Sequence, residues 1–83
     1  MRLRADVSLV ETDYGKVLLD RRTGRYWELN PTGSLALDEL TSGGDIDSVT
    51  TRLTDEFEVG AERARSDAEA LVAALVEAGL VDR

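Results

Sequence analysis

Few side chains in this chain could carry out catalytic chemistry, and their types exclude the common catalytic sites. The 83 residues include no His and no Cys. That removes thiolate nucleophiles, the usual general base at neutral pH and most zinc sites. Lys16 is the sole lysine and lies in a strand-like run, which argues against a Ser–Lys pair. The carboxylates are spread over helix surfaces, where a solvated face is their ordinary role. We therefore predict a protein that is not an enzyme, with no catalytic residues, no metal site and no cofactor.

The motif nearest to covalent chemistry is Asp47-Ser48-Val49. It resembles the Asp-Ser-Leu-type site at which carrier proteins receive a phosphopantetheine arm, and the size and acidity of the chain fit as well. Carrier proteins, however, are helical bundles that begin with a helix, whereas this chain opens with thirty strand-like residues. Val49 also belongs to an apolar helical stripe, which makes Ser48 an ordinary first-turn residue. An acyl or peptidyl carrier protein with Ser48 as its attachment site remains an alternative.

Composition predicts a single globular domain over residues 1–83, with 42% apolar residues and one proline. The longest apolar run, Ala70 to Val76, is far shorter than the roughly 20 residues that span a bilayer. No export signal follows Met1, so we expect a cytoplasmic protein without a membrane partner. Residues 1–30 carry a net charge of +1 and residues 31–83 carry −8, for a total of −7. This acidic half disfavours nucleic-acid binding.

Turn clusters divide the first thirty residues into three strands, which predicts an antiparallel meander. These strands are Val7–Glu11, Lys16–Asp20 and Arg25–Leu29. Helical periodicity then predicts three helices. They run from about Pro31 to Leu40, from near Asp45 to the break at Gly60 after Val59, and from about Ala61 to Ala78. Asp45 is predicted as the N-cap of the second helix and Gly79 as the C-terminal cap of the third. The order βββααα with short connections predicts an α+β fold, a three-stranded antiparallel sheet with three helices on one face.

The junction between the third strand and the first helix is the most informative segment. Asn30 is suited to cap the helix, and Pro31 suits its first turn. Within the strand, Trp27 and Leu29 share one face, which we expect to be the core face, and Tyr26 and Glu28 share the other. If the strands pair in chain order, this strand is an edge whose free backbone groups can accept a peptide as an additional strand.

The third helix carries two stripes. The first is assigned to the core and consists of Ala61, Ala64, Ala68, Val72, Leu75 and Gly79. A flanking stripe of mostly small residues consists of Arg63, Asp67, Leu71, Ala74 and Ala78. Small side chains leave space beside a helix, so this flank is either one wall of a groove or a close helix–helix contact. The sequence favours neither interpretation.

From about Val7 to Val81, the order and spacing of several segments resemble the PqqD-like proteins, which are recognition elements of ribosomally made, post-translationally modified peptides. The segments are Trp27-Glu28-Leu29-Asn30-Pro31-Thr32-Gly33, Leu37…Leu40-Thr41-Ser42-Gly43-Gly44, Ile46…Val49…Leu53…Phe57, and Asp67-Ala68…Leu71-Val72…Leu75…Ala78-Gly79-Leu80-Val81. The resemblance implies a winged-helix-like arrangement of three strands and three helices. It also implies that the leader segment of a precursor peptide binds as a fourth strand, in a groove walled by the third helix.

A free-standing chain of this length is most similar to the small leader-binding proteins of lasso-peptide biosynthesis. The implied partners are a separate transglutaminase-like leader peptidase and, afterwards, a cyclase. A peptide chaperone of pyrroloquinoline quinone biosynthesis, partnered by a radical enzyme, is an alternative.

Carried onto this sequence, the resemblance assigns leader binding to nine residues. They are Arg25, Tyr26, Trp27, Glu28 and Leu29 of the strand and Arg63, Asp67, Leu71 and Ala74 of the third helix. Leu71 stands where the family often has a larger apolar or aromatic residue, which predicts a roomier pocket. Our hypothesis for the charges is that Arg21, Arg22 and Arg25 meet acidic leader residues, while Asp67 meets a polar or basic group.

Overall fold

The computed structural model describes residues 1–82. In chain order, the described elements are β1 (Arg2–Leu3), β2 (Val7–Thr12), β3 (Gly15–Asp20), β4 (Tyr26–Leu29), α1 (Pro31–Thr41), α2 (Ile46–Glu56), α3 (Ala61–Glu77) and β5 (Val81–Asp82). The predicted α+β class and winged-helix-like βββααα order are confirmed, with boundaries that differ by one or two residues at most element ends. The additions are β1 and β5, each two residues long, which is too short to show any alternation in the sequence.

The main sheet has the strand order β2-β3-β4, with both neighbouring pairs antiparallel, as the meander prediction required. The register places Leu18 opposite Leu9 on one side and Trp27 on the other. A separate two-stranded sheet joins β1 to β5, so the N-terminal segment is held against the end of the chain. Within residues 1–82, β4 pairs only with β3 and is therefore an edge strand.

Local side-chain chemistry fixes the helix ends as the sequence predicted. The Asn30 side chain accepts a hydrogen bond from the Gly33 N–H at 2.8 Å. At α2, Asp45 and Ser48 form a capping box, in which each side chain accepts from the backbone N–H of the other. After α3, Gly79 has φ 71°, and the Leu80 N–H returns to the Leu75 carbonyl at 3.0 Å. This Schellman-type end turns Leu80 back into the core.

The core has two clusters that meet beneath α3. The sheet-side cluster is formed by Val7, Leu18, Leu37, Leu75, Leu80 and Val81. The helix-side cluster is formed by Ala36, Leu40, Val49, Leu53, Ala64 and Ala68. Half-buried Leu71 packs against both. The predicted core stripe of α3 is confirmed at Ala64, Ala68 and Leu75, but Ala61 is exposed, because it is the first helical residue and lies beyond the packed region.

The helices do not all lie directly on the sheet. The backbone of α1 packs closely against β3 and β4, whereas α2 packs on α1 and α3. Helix α3 reaches the sheet-side cluster through Leu75 and Leu71. The prediction of three helices on one sheet face therefore holds for α1 and, through side chains, for α3. Because α3 is not pressed against β4, space is left between them.

Candidate peptide-binding site

The outer edge of β4 is open. Strand β4 pairs with β3 on one side, and no strand within residues 1–82 pairs with it on the other. The N-terminal segment pairs with β5 and does not cover this edge. An uncovered edge presents unpaired backbone N–H and C=O groups to any extended chain that approaches it.

The residues that offer these groups can be identified from the ladder. The Asp20 N–H donates to the Arg25 carbonyl at 2.9 Å, so Asp20 and Arg25 form a hydrogen-bonded pair. Such pairs alternate along an antiparallel ladder. In β4, Trp27 therefore bonds to β3, while Tyr26 and Glu28 direct their N–H and C=O groups to the open edge. The β2–β3 ladder is consistent with this pattern. The Arg21 N–H donates to the Asp6 carbonyl, so the odd-numbered residues of β3 direct their backbone groups to β2 and the even-numbered residues bond to β4.

A groove runs between β4 and α3, and its first part is a cavity of about 570 Å³. Strand β4 contributes Glu28 and Leu29, and α3 contributes Arg63, Asp67 and Leu71. The remaining lining residues are Asn30, Thr32, Gly33, Ala36, Leu53, Ala68 and Ala70. The base is thus mostly apolar, with one ion pair on the rim, where Arg63 and Asp67 lie 3.5 Å apart and are both exposed.

The groove continues as a second cavity of about 460 Å³ toward the start of β4. Here Trp27 of β4 and the preceding Arg25 line one side, and Ala74 and Glu77 of α3 with the following Ala78 line the other. Later residues of α3 thus face earlier residues of β4, so the helix and the strand run in opposite directions along what we call the β4–α3 groove. The Arg25 guanidinium lies 5.7 Å from the centre of the Trp27 ring, which is cation–π range.

Eight of the nine residues assigned from the sequence line the β4–α3 groove, and the exception is Tyr26. Its side chain is 65% exposed on the opposite face of the sheet, because it alternates with Trp27. Its backbone groups nevertheless belong to the open edge. Trp27 and Leu29 are half-buried and pack against the sheet-side cluster, which confirms their predicted orientation.

Sequence reasoning missed the groove residues contributed by α1 and α2. Thr32, Gly33, Ala36 and Leu53 all line the larger cavity. Helical periodicity assigns Ala36 and Leu53 to the core, and a core residue can also form the base of a groove. The small Thr32 and Gly33 beside the Asn30 cap were the available signal, since bulkier first-turn residues would fill this space.

A buried carboxylate organises the far end of the groove. Asp20 is 2% exposed, and its side chain accepts hydrogen bonds from the Arg22 N–H at 2.9 Å and from the Arg22 guanidinium at 3.2 Å and 3.3 Å. These bonds from Arg22 hold the pKa of Asp20 below its ordinary value. Arg22 also lies 3.2 Å from Asp6, so its charge is already used within the protein.

Lys16 is a structural cation. It is 6% exposed, and its ammonium pairs with Glu11 and, at 3.3 Å, with Asp38. The hydrogen bond that the Lys16 ammonium donates to the Glu11 carboxylate is the main reason why the pKa of Lys16 is raised, and burial acts in the opposite direction. A Lys held in this way between two carboxylates is a poor general base, which agrees with the sequence analysis.

Ser48 is committed to the end of α2. Its hydroxyl accepts from the Asp45 N–H at 2.9 Å and donates to the Asp45 carbonyl at 3.1 Å. Together with the opening strands, this arrangement argues against the carrier-protein alternative.

The fold and the site together define a class: a small α+β domain that offers a free sheet edge beside a groove. Residues 15–81 match the family described as coenzyme PQQ synthesis protein D (PqqD), and the chain belongs to that family. No curated protein sequence matches it significantly.

Two solved structures share the whole fold. One, described as lasso peptide synthetase B1 complexed with the leader peptide, is 44% identical, with a TM-score of 0.89 over 99% of this chain and 96% of that chain. The other, TbiB1 in complex with the TbiA(β) leader peptide, is 24% identical, with a TM-score of 0.85 over 99% of this chain and 95% of that chain. At that identity the second structure shows the fold alone.

No helix within residues 1–82 is long and apolar enough to cross a membrane.

Proposed function

We propose that this chain binds the leader segment of a ribosomal precursor peptide as an additional strand on β4, in the β4–α3 groove, and presents it for lasso-peptide maturation. The observation that carries the proposal is the open edge of β4 beside that groove. It occurs in a chain 44% identical to a protein whose structure contains a leader peptide. The alternative role in pyrroloquinoline quinone biosynthesis fits the family equally well, but the identity to a lasso protein favours the lasso pathway.

Backbone pairing would set the register of the bound leader. Tyr26 and Glu28 together offer two donors and two acceptors. At about 0.5–1.5 kcal/mol net for each bond, the added strand gains roughly 2–6 kcal/mol. Association costs about 4–15 kcal/mol, so these bonds alone do not hold a peptide. The remaining free energy has to come from leader side chains buried against Trp27, Leu29 and Leu71, at about 25 cal/mol per Å².

The ion pairs within the protein bear on which arginine would meet an acidic leader residue. Arg22 is paired with Asp20 and Asp6, and Arg21 donates to the carbonyls of Ala5 and Asp6. Neither Arg21 nor Arg25 has an ion pair within residues 1–82, but Arg25 lines the groove and Arg21 does not. An acidic leader residue would therefore meet Arg25. At the other end of the groove, Asp67 is paired with Arg63, so it would select for a polar or basic leader group less strongly than an unpaired carboxylate would.

The chain would act with separate enzymes. It contains no His and no Cys, so cleavage of the leader and ring closure would fall to a transglutaminase-like leader peptidase and a cyclase acting on the presented precursor in the cytoplasm. Our proposal is that the chain contributes binding and orientation, with no catalytic residues of its own.

Amide hydrogen exchange followed by NMR tests both binding and strand addition. The probe is a synthetic leader segment of the precursor encoded beside this gene. In the free protein, the amides of Tyr26 and Glu28 should exchange quickly, while the ladder amide of Trp27 is already protected. Addition of the leader should slow exchange at Tyr26 and Glu28 by at least tenfold.

The outcomes separate the parts of the proposal. Leader binding without new protection at Tyr26 and Glu28 would overturn strand addition while keeping leader recognition. Absence of binding at millimolar leader would overturn the function itself. The Trp27 amide is the internal control, because any general stabilisation would slow its exchange as well.

A further inference from the structure

The face of the main sheet opposite the groove is unusually apolar for a solvent-facing surface. Val10 is 52% exposed and Tyr26 is 65% exposed, and both lie on this outer face with half-buried Val17 and Leu19. At the β2–β3 turn, Tyr14 is 85% exposed. Within residues 1–82 no helix covers this side, since α1 packs on the core face.

The outer face also contains a hollow of about 490 Å³ directly beside the open edge. We call it the outer hollow. It is lined by Thr12, Tyr14, Lys16, Val17, Glu28, Leu29 and Asn30. Glu28 forms part of this hollow and of the larger groove cavity, so β4 has a cavity on each face.

The outer hollow carries an uncompensated negative charge. Glu28 is exposed and has no ion pair within residues 1–82, whereas Lys16 is already paired with Glu11 and Asp38. Tyr14 and Val17 add an aromatic ring and an aliphatic surface. A long basic side chain matches this combination, because its apolar stem packs on Tyr14 and Val17 while its charge stays beside Glu28.

The geometry of an added strand delivers a side chain to this position. Residues directly opposite each other in neighbouring strands lie on the same face of a sheet. A peptide residue opposite Trp27 points into the β4–α3 groove, and its two neighbours, opposite Tyr26 and Glu28, point to the outer face. In an antiparallel added strand, the peptide residues whose backbones bond to Tyr26 and Glu28 are thus not the ones whose side chains fill the groove.

We propose that the outer hollow is a second subsite for the bound peptide, which takes a Lys or Arg side chain from the residue that pairs with Glu28. The inference rests on the proposed strand addition and extends it, since a bound leader would be read on both faces of the sheet. Leader positions that face the groove would be apolar, and the neighbouring position that pairs with Glu28 would be basic.

A displayed single-site saturation library of the same leader segment tests this subsite. Wild-type protein should enrich Lys and Arg at one leader position adjacent to an apolar one. The Glu28→Lys variant should reverse the preference at that position to Asp and Glu, with a change in relative enrichment on the order of fivefold or more. The matched control is Asp67→Lys, an equal charge reversal on the groove wall, which should alter a different leader position.

Each outcome of this library experiment decides one question. The library could show apolar preferences at groove-facing leader positions but no charge preference that changes with Glu28→Lys. That result would overturn the second subsite and leave leader binding intact. A response of the same leader position to both reversals would also overturn it, because the two sites lie on opposite faces. Absence of any enrichment by the wild-type protein would overturn the proposed function instead.

Tyr14 provides a second, independent test that does not alter charge. Tyr14→Ala should weaken binding of the leader with its basic residue by about twofold to fivefold, and Tyr14→Phe should retain it. A leader with Ala in place of the basic residue should bind both variants equally. Because Tyr14 is 85% exposed, the fold should not depend on its ring, and unchanged binding by Tyr14→Ala would overturn its place in the subsite.

Discussion

The Ser34 hydroxyl accepts a hydrogen bond from the Lys16 backbone N–H at 2.9 Å and thereby ties α1 to the start of β3. The same hydroxyl donates to the Leu29 carbonyl at 3.3 Å, so it also holds the end of β4. Gly15 lies against this bridge, and a Cβ at that position would collide with the Leu29 carbonyl. The bridge fixes the edge strand relative to α1, whose first turn lines the groove.

Removal of the Ser34 hydroxyl should destabilise the fold. Ser34→Ala leaves the buried Lys16 N–H without its partner, and an unsatisfied buried donor costs about 1–3 kcal/mol. Urea unfolding followed by circular dichroism measures this loss. The control is Thr51→Ala, which removes an exposed hydroxyl that bonds to the Asp47 carbonyl in α2 and should change stability by less than about 0.5 kcal/mol. Equal effects of the two substitutions would show that the bridge contributes nothing specific.

Ser34 also illustrates why part of this site was beyond prediction from the sequence. Asn30, Pro31 and Gly79 carry local signals, since caps and left-handed glycines act on neighbouring backbone, and the structure confirms the ends they predict. Ser34 acts across eighteen residues on Lys16, and no local pattern marks such a contact.

The outer hollow was beyond prediction for a similar reason. It depends on the register that places Val17 opposite Glu28 and on the turn that brings Tyr14 beside them. On α3, helical spacing predicted that Arg63, Asp67, Leu71 and Ala74 share one face. The resemblance to PqqD-like proteins assigned that face to the groove wall, since spacing alone left close helix packing as an equal alternative. A face shared within one element can be predicted from the sequence, whereas a site formed between elements also requires knowledge of how the strands pair.

The start of α3 offers a stabilising substitution. Gly60 is the N-cap residue, it makes no side-chain capping bond, and a Cβ placed there would meet nothing within 4 Å. Gly60→Ser should add a cap and reduce the freedom of the unfolded chain, for a gain of about 0.5–1 kcal/mol. Thermal unfolding measures the gain, and Gly60→Ala is the control, because it shares the chain-entropy effect but cannot cap. If the serine variant is no more stable than the alanine variant, the new cap has not formed.

Stability should fall in acid through Asp20. Arg22 holds the pKa of Asp20 below its ordinary value of 3.8. A carboxyl whose pKa is lowered by folding stabilises the native state fully above its unfolded pKa, and that contribution is lost as the pH falls through the lowered value. The free energy of unfolding should therefore drop below about pH 4. Asp20→Asn should be less stable at pH 7 and show a smaller drop, measured by urea unfolding between pH 2 and pH 7.

Asp55→Asn is the control for that experiment, since Asp55 is an exposed acid on α2. It should keep both the stability at pH 7 and the acid dependence of the wild type. If Asp20→Asn loses as much stability between pH 7 and pH 2 as the wild type does, other carboxylates dominate the acid dependence of stability. Glu11 and Asp45, whose pKa values are also lowered by their partners, would then be the next positions to replace.

The wall of the β4–α3 groove can be blocked without disturbing the core. Ala74 is exposed and lines the cavity beside Arg25 and Trp27. Ala74→Arg should fill part of that cavity, add a second cation beside Arg25 and weaken leader binding at least tenfold, with the melting temperature nearly unchanged. Fluorescence anisotropy of a labelled leader measures the affinity. The same substitution at Ala73, which is exposed on a different side of α3 near Ile46 and Val76, is the matched control and should leave binding intact.

Leu71 is the less suitable position for this test, although it lines the larger cavity. It packs against both core clusters, so Leu71→Arg should lower the free energy of unfolding by about 1–3 kcal/mol as well as weaken binding. Comparison of the two variants separates the effects: Ala74→Arg should lose binding alone, and Leu71→Arg should lose both binding and stability. If Ala74→Arg binds the leader as tightly as Ala73→Arg, the leader does not occupy the part of the groove beside Trp27.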